Sequence, residues 1–321
     1  MTDRPTTDAA PETTALLPPA DDPQAPEQVR SLGRDAWEKL RRQPIFWISA
    51  LLIVLMMLMA LFPQLFTFFS PNPDPYLADQ TKIREVPNSQ AWFGRDGQGF
   101  DVYSRTIYGA RASILVGVLT TALALVIGGL VGIFAGFYGR WLDAVLSRVA
   151  DMFFAIPLLL GGILILYTFP SNFETPYLLV IFKVVLAMAI LGWPRIARIM
   201  RASVLQVKPN DYVQAARALG AGPVRIIGGH VLPNAFAPVI VVATIDLGVY
   251  IATEATLSFL GIGLQPPTVS WGVMISEASQ LGLLRAAPHM LIFPSIFLSL
   301  TVLAFIMLGD AVRDAFDPKS R

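Results

Sequence analysis

The stretch "ASILVGVLTTALALVIGGLVGIFAG", residues 112 to 136, has no charged residue in 25 consecutive positions. A helix rises about 1.5 Å per residue, so about 20 mostly apolar residues cross the hydrocarbon core of a bilayer. This segment is long enough and apolar enough to do so. It therefore predicts a membrane-spanning helix.

Five other windows have the same character. Together the six expected spans are 45–69, 112–136, 152–169, 177–193, 235–253 and 290–309. Hydrophobic residues make up 54% of the 321-residue chain and charged residues 15%, which leaves too little polar sequence to cover six such helices in water. We therefore predict an all-α integral membrane protein, with six transmembrane helices in one domain over residues 44–321.

The lysines and arginines beside the spans predict the orientation. Most of them lie before the first span, after the second and fourth, and after the sixth. Because positively charged loops stay in the cytoplasm, both termini and the loop 194–234 are expected there, in a multi-pass protein of the cytoplasmic membrane. The same residues explain a net charge of +1 without a nucleic-acid partner.

The chain before the first span divides into two parts. Residues 1–28 are rich in Pro, Thr, Ala and acids and lack an apolar period, which predicts a disordered cytoplasmic tail. They also lack the basic start and apolar core of a cleavable signal peptide. Residues 29–43 place apolar side chains on one helical face with basic residues around them, as expected for an interfacial amphipathic helix.

The sequence carries no recognisable catalytic or metal-binding pattern. It has no cysteine, its two histidines lie on opposite predicted sides of the membrane, and it contains no phosphate-binding loop or nucleophile elbow. We expect neither an enzyme nor a cofactor-binding or metal-binding chain. If transport uses nucleotide energy, another chain supplies it.

One polar segment, residues 211–234, separates the fourth and fifth spans. Asp211 and Gln214 have the spacing of a capping box, and Gly220 is expected to end a helix of about ten residues. Tyr212, Ala216 and Leu219 form a small apolar stripe on this helix. A helix this short is marginal in water, so either a partner protein or the chain's own spans should hold it.

The segment "QAARALG", followed after nine residues by "HVLP", resembles the EAA loop of ABC importer permeases. Gln214 replaces the usual Glu, and His230 replaces the usual Ile. The resemblance implies that this is the cytoplasmic coupling helix that docks on an ATPase. The residues to which it assigns this role are Asp211, Tyr212, Gln214, Ala215, Ala216, Arg217, Leu219, Gly220, Leu232 and Pro233.

Three other segments narrow the resemblance. They are "FGRDGQGFDVYSRTIYGARASILVG" (93–117), "EATLSFLGIGLQPPTVSWGVMI" (254–275) and "LGDAVRDAFDP" (308–318). From about residue 30 onward, the chain resembles the C-type permease subunits of the dipeptide, oligopeptide and nickel importers. Phe100 stands where an Arg is common in this family, and His289 where an aromatic residue is common.

The resemblance implies a peptide importer with several other components. These are a second, homologous permease, two cytoplasmic ATPases that bind ATP and Mg²⁺, and an external substrate-binding protein. A nickel chelate or haem is an alternative cargo within the family. An ATPase-independent channel or secondary transporter is a further alternative, but the half-helices, inverted repeat and multiple charges expected of it are not evident in the sequence.

Three ionisable residues in or beside the spans are candidates for the translocation path or an intramembrane ion pair: Lys183, Asp246 and Glu254. Lys183 and Asp246 are each expected roughly 10 Å below the outer boundary, at about 1.5 Å per residue. They form a structural pair, or Asp246 binds a peptide's ammonium group, or a span boundary is misplaced.

Small residues and prolines give further expectations about the spans. Gly128, Gly132 and Gly136 repeat every four residues, which predicts close approach of another helix. Pro157 and Pro294 predict bends in the third and sixth spans. The segment 254–288 is too apolar for a solvated loop, so we expect short helices at the outer mouth.

Overall fold

The computed structural model describes residues 37–172 and 174–316. The expected tail 1–28 and the start of the expected interfacial helix lie outside this range. Within it the chain is helical, and its β structure is limited to isolated bridges in the segment 78–101. The helices are α1 Pro44–Leu61, α2 Pro63–Thr67, α3 Val102–Tyr138, α4 Arg140–Phe154, α5 Leu158–Thr168, α6 Tyr177–Val207, α7 Asp211–Ala218, α8 Pro223–Ile226, α9 Leu232–Ala235, α10 Ala237–Phe259, α11 Trp271–Ala278, α12 Leu281–Ala286 and α13 His289–Phe316.

Five of these helices, α1, α3, α6, α10 and α13, are long and apolar enough to cross a membrane. A sixth span is present if α4 and α5, which meet at an 81° bend, are counted as one. The predicted all-α membrane fold is confirmed. The bend falls at Pro157, whose ring cannot continue the helical hydrogen bonds, so the third span is not one straight helix.

The centre of the bundle is the contact between α3 and α6, which run parallel. A Cβ added to Gly128 would lie 2.5 Å from the Trp193 carbonyl oxygen. One added to Gly132 would lie 2.5 Å from the carbonyl oxygen of Ala197. The predicted close approach is confirmed, because only glycine lets the backbone of α6 come this near.

The other spanning helices surround this pair. Helix α10 packs antiparallel to α3, with Gly117 against Ile251, and α13 packs antiparallel to α10. The bundle therefore has two ends. One carries the loop 208–236 and the start of α1, and the other carries the loops 70–101 and 260–288. Leu40, in a helical turn before α1, is buried against Ala311 and Ala315 of α13 at the first end.

The fourth span is longer than predicted. The helix that carries the predicted span 177–193 continues beyond Trp193, through Pro194 to Val207. Proline costs the helix one backbone hydrogen bond. Three arginines after it pair with acids on neighbouring helices. The expected loop 194–234 is therefore a loop only from residue 208. The fifth span also continues past 253, to Phe259, and places Glu254 inside a helix.

The loops at the second end are ordered by buried charges. Arg105 Nη1 lies 2.5 Å from Asp96 Oδ2 and 3.0 Å from Glu277 Oε2, which ties α3 to the loop 70–101 and to α11. Asp101 caps α3 by accepting from the Ser104 amide at 2.8 Å, and burial raises the pKa of the Asp101 carboxyl. The short helices expected between 254 and 288 are present as α11 and α12.

Candidate functional site

Helix α7 forms the polar tip of the first end, but it starts differently from the prediction. Asn210 occupies the N-cap position and Asp211 is the first helical residue, so the predicted Asp211 capping box is wrong. Gln214 Nε2 instead donates to the Lys208 carbonyl oxygen at 3.1 Å. Asp211 still contributes favourably, because an acid in the first turn complements the helix dipole.

The end of α7 agrees with the prediction. Gly220 has φ +82°, the left-handed conformation that glycine adopts without steric cost. The Ala221 amide donates back to the Ala216 carbonyl oxygen at 3.1 Å, which closes the helix with the 6→1 bond of a Schellman motif. The chain then turns into α8 at Pro223.

One side chain anchors α7 to the bundle. Val213 is fully buried, and its cluster brings together the ends of α3 and α6, the helices after the turn, and the start of α10. The neighbouring Lys208 supports this contact, since its Nζ donates to the Phe137 carbonyl oxygen at 2.6 Å. Sequence reasoning missed Val213. Its only signal was that it is the sole branched aliphatic residue in the helix.

The face of α7 away from Val213 is open. Leu219 is 88% exposed and Val224 of α8 is 85% exposed, while Tyr212 is about half as exposed. Tyr212 and Leu219 of the predicted stripe thus face away from the chain's own spans, whereas Ala216 is half-buried. Exposed apolar side chains on a polar loop that is itself anchored are typical of a protein-binding surface. We call Tyr212, Leu219 and Val224 the docking face.

The remaining residues of the predicted coupling set divide between two places. Gln214, Ala215 and Arg217 are exposed on α7, whereas Leu232 and Pro233 lie in α9, on the segment that returns to the bundle. Helix α7 contacts the returning segment through two rings: the ring centres of Tyr212 on α7 and of His230, just before α9, are 6.5 Å apart. Residues 227–231 between α8 and α9 form a π-helical turn, a feature found often at functional sites.

The predicted pairing of Lys183 with Asp246 is wrong. Asp246 Oδ1 lies 2.8 Å from Arg195 Nη1, and Lys183 Nζ donates to the Pro170 carbonyl oxygen at 2.9 Å. The cause is the longer helices: α10 extends to Phe259, so Asp246 lies about 20 Å along the helix from that end at 1.5 Å per residue. Arg195, expected in a loop, lies inside α6 at the same level.

Two more arginines that were expected in the loop 194–234 also lie inside α6 and pair with acids of α4. Arg201 binds Asp143 through both Nε and Nη2, at 2.5 and 2.7 Å. Arg198 Nη2 lies 2.8 Å from Asp151. Arg198 and Arg201 are three residues apart and lie on neighbouring positions of one face, so both reach α4, while Arg195 ties α6 to α10.

Glu254 has a different environment from the other two intramembrane candidates. Its side chain is completely buried, and Oε1 accepts a hydrogen bond from Ser258 Oγ at 2.7 Å. It has no ion-pair partner among the described residues, and it lies on no accessible surface of this chain.

Known proteins resemble the chain over most of its length. A family model described as the binding-protein-dependent transport system inner membrane component matches residues 128–321. A second model, the N-terminal TM domain of oligopeptide transport permease C, matches residues 31–87. Together the two models match residues 31–87 and 128–321 of the chain.

Curated relatives agree with these family models. The glutathione transport system permease protein of Pectobacterium atrosepticum is 35% identical over 91% of this chain and 93% of its own length. The oligopeptide transport system permease protein of Bacillus subtilis is 38% identical over 91% of each chain. The dipeptide transport system permease protein of Alkalihalophilus pseudofirmus is 34% identical over 95% of this chain and 97% of its own.

A solved structure of the MetNI methionine ABC transporter, described as inward facing, matches with a TM-score of 0.49 and 20% identity. It covers 65% of this chain and 96% of that chain.

Proposed function

Because the chain belongs to the family of binding-protein-dependent transport system inner membrane components, we propose that it is a permease subunit of an ATP-driven ABC importer for short peptides. The observation that carries the proposal is the docking face, an exposed apolar surface on a helix that one buried valine fixes to the bundle. The names of the relatives favour peptides over a nickel chelate or haem as cargo.

The proposal includes an orientation. The loop 208–236 and both termini lie in the cytoplasm, since most of the basic residues beside the spans flank this end. The loops 70–101 and 260–288 face the outside, where a substrate-binding protein delivers the peptide. The partners are that protein, a second homologous permease and two ATPases, which bind the ATP and Mg²⁺.

The mechanism follows from how α7 is attached. ATP binding closes the pair of ATPases. Each ATPase then moves the permease helix docked on it, which is α7 in this subunit, as a rigid body. Val213 passes this movement to the joined ends of α3, α6 and α10. The Arg195–Asp246 pair links the helices before and after the loop, so both ends of the loop move together. The movement tilts the spanning helices, so that the peptide's translocation path opens in turn to the outside and to the cytoplasm.

The docking face can be tested by substitution in the assembled transporter. L219E combined with V224E places two charges on the apolar contact while leaving Val213 in place. We expect this variant to lose co-purified ATPase and ATP-dependent peptide uptake. L77E is the matched control, because Leu77 is 70% exposed at the opposite end of the bundle and should leave ATPase binding unchanged. Retention of ATPase and uptake by the double variant would refute the assignment.

The orientation has a separate test. The chain has no cysteine, so a single cysteine introduced as Ala218→Cys provides one labelling site on α7. A membrane-impermeant maleimide should label it in inverted vesicles and not in intact cells. Labelling in intact cells would place α7 outside and would contradict the proposal.

A further inference from the structure

The Arg195–Asp246 pair presents its two charges unequally. Asp246 is nearly inaccessible, with 3% of its side chain exposed, whereas the Arg195 side chain is 51% exposed. The carboxylate of Asp246 therefore lies on the buried side of the guanidinium, and of the two charged groups only that of Arg195 is exposed at the surface of the chain. The pair lies inside α6 and α10, two helices long enough to span the membrane.

A half-exposed guanidinium on a membrane-spanning helix limits what can cover it. Charged groups inside a membrane face water or a polar partner, because contact with lipid tails is costly. Arg195 uses Nη1 for Asp246, and Asp246 is the only acid within 4 Å of it in the described part of the chain. The remaining edge of the guanidinium, with its Nη2 and Nε donors, is open for a planar acceptor.

The other cations of α6 do not offer this geometry. Arg201 spends two nitrogens on Asp143, and Arg198 lies 3.9 Å above the ring of Phe154 while pairing with an acid that is itself exposed. Lys183 donates to a backbone carbonyl group. Arg195 alone among these four combines a buried counter-ion with an open donor edge.

We propose that Arg195 binds the free carboxylate terminus of the transported peptide. This inference rests on the proposed function and names one contact of the cargo on its path. A carboxylate matches the guanidinium edge, since the two groups form parallel N–H···O bonds. Asp246 is a positioning residue: it aims the guanidinium and offsets its charge, so that the bound carboxylate can leave.

The backbone around Arg195 also favours a fixed position for it. One turn before it on α6, Gly192 lies directly against the hydroxyl of Tyr250, and Tyr250 lies one turn after Asp246 on α10. Two contacts fix how α6 and α10 are aligned along their length. One joins Gly192 to Tyr250, and the other joins Arg195 to Asp246. A side chain held in register by a neighbouring contact loses less entropy when it binds a ligand.

The test uses the complete transporter in proteoliposomes and two forms of one peptide, with a free carboxylate and with a C-terminal amide. R195Q removes the charge, and R148Q is the matched control on the exposed face of α4. The binding protein discriminates equally in all variants, so the acid-to-amide uptake ratio of each variant is divided by that of the wild type. We expect this quotient to fall about tenfold in R195Q, which corresponds to the smallest usual contribution of a hydrogen bond to a charged group. In R148Q it should stay at one.

Two further variants separate binding from folding. R195Q combined with D246N gives a neutral pair of similar shape, which should assemble normally and show the same loss of acid preference as R195Q. D246N alone leaves Arg195 without its counter-ion, so KM and kcat should both fall for the acid peptide and stay unchanged for the amide. R195K should keep part of the preference, because it keeps the charge.

The outcomes distinguish this inference from the proposed function. If the wild-type transporter takes up neither peptide, the proposed function is wrong. If both peptides are taken up and the assembled R195Q/D246N variant keeps the wild-type acid-to-amide ratio, Arg195 does not bind the carboxylate and the proposed function stands. Acid preference lost equally in R148Q would also overturn the inference, since the effect would then follow from total charge.

Discussion

Substituting Gly132 by alanine should separate α3 from α6 and destabilise the protein. The added Cβ would lie 2.5 Å from the Ala197 carbonyl oxygen and 2.7 Å from the Met200 Cβ. Ordinary contacts of this kind are about 3.5–4.0 Å long, so the helices must move apart by about 1 Å. Overpacking of this size costs about 1–3 kcal/mol.

Gly129 provides a control on the same helix. A Cβ there would meet only Met200 Cε, at 4.0 Å, which is an ordinary contact distance. Both variants gain the same helix propensity from the change of glycine to alanine, about 1 kcal/mol in water, so this contribution cancels in the comparison. G132A should therefore be about 1–3 kcal/mol less stable than G129A.

Thermal denaturation in detergent, recorded at one scan rate for both variants, measures this difference. The scan rate must be fixed, because membrane proteins often unfold irreversibly and the apparent Tm then depends on it. G132A should melt at a lower temperature than G129A. Equal melting temperatures would show that the glycines do not hold α3 and α6 in backbone contact.

Two other substitutions test local features. Gly220→Ala places a side chain at φ +82° and should destabilise the end of α7 by about 1 kcal/mol. Gly222→Ala is the control, because φ there is −71° and nothing lies within 4 Å of its Cβ; it should leave the exchange of α7 unchanged, although glycine is favoured over alanine at this N-cap of α8. Hydrogen exchange of α7 measures both, and equal exchange would contradict the assigned cap. Glu254→Leu removes the fully buried acceptor of the Ser258 hydroxyl and leaves that donor unpaired, so it should lower the melting temperature by the equivalent of about 1–3 kcal/mol. The exposed Glu174→Leu is the control and should not change it; equal effects would show that this buried hydrogen bond is unimportant.

The sequence predicted the features that depend on length and composition. Long uncharged runs identified the spans, because only apolar helices of that length suit a bilayer. The glycine repeat identified the central contact, because a small residue every four positions makes one smooth helix face. The Gly220 stop was predictable as well, since it depends on the conformation of a single residue.

The errors arose where a residue's partner is far away in the chain. Pro194 and Arg195 look like the end of a span until Asp246, on another helix, is known to pair with the arginine. The Asp211 capping box is a separate, local error, because Asn210 occupies the N-cap position. The burial of Val213 was missed because it depends on side chains from four other segments. Local spacing carries no information about such contacts.

The contact of α3 with α6 has one more consequence, for measurements of motion. Gly128 and Gly132 bring backbone against backbone, and backbone atoms have no rotamers through which to yield. The two helices should therefore move as one unit, because neither can shift against the other without a backbone clash. Spectroscopic distances in the other helices are best measured from this pair, which supplies a common frame of reference.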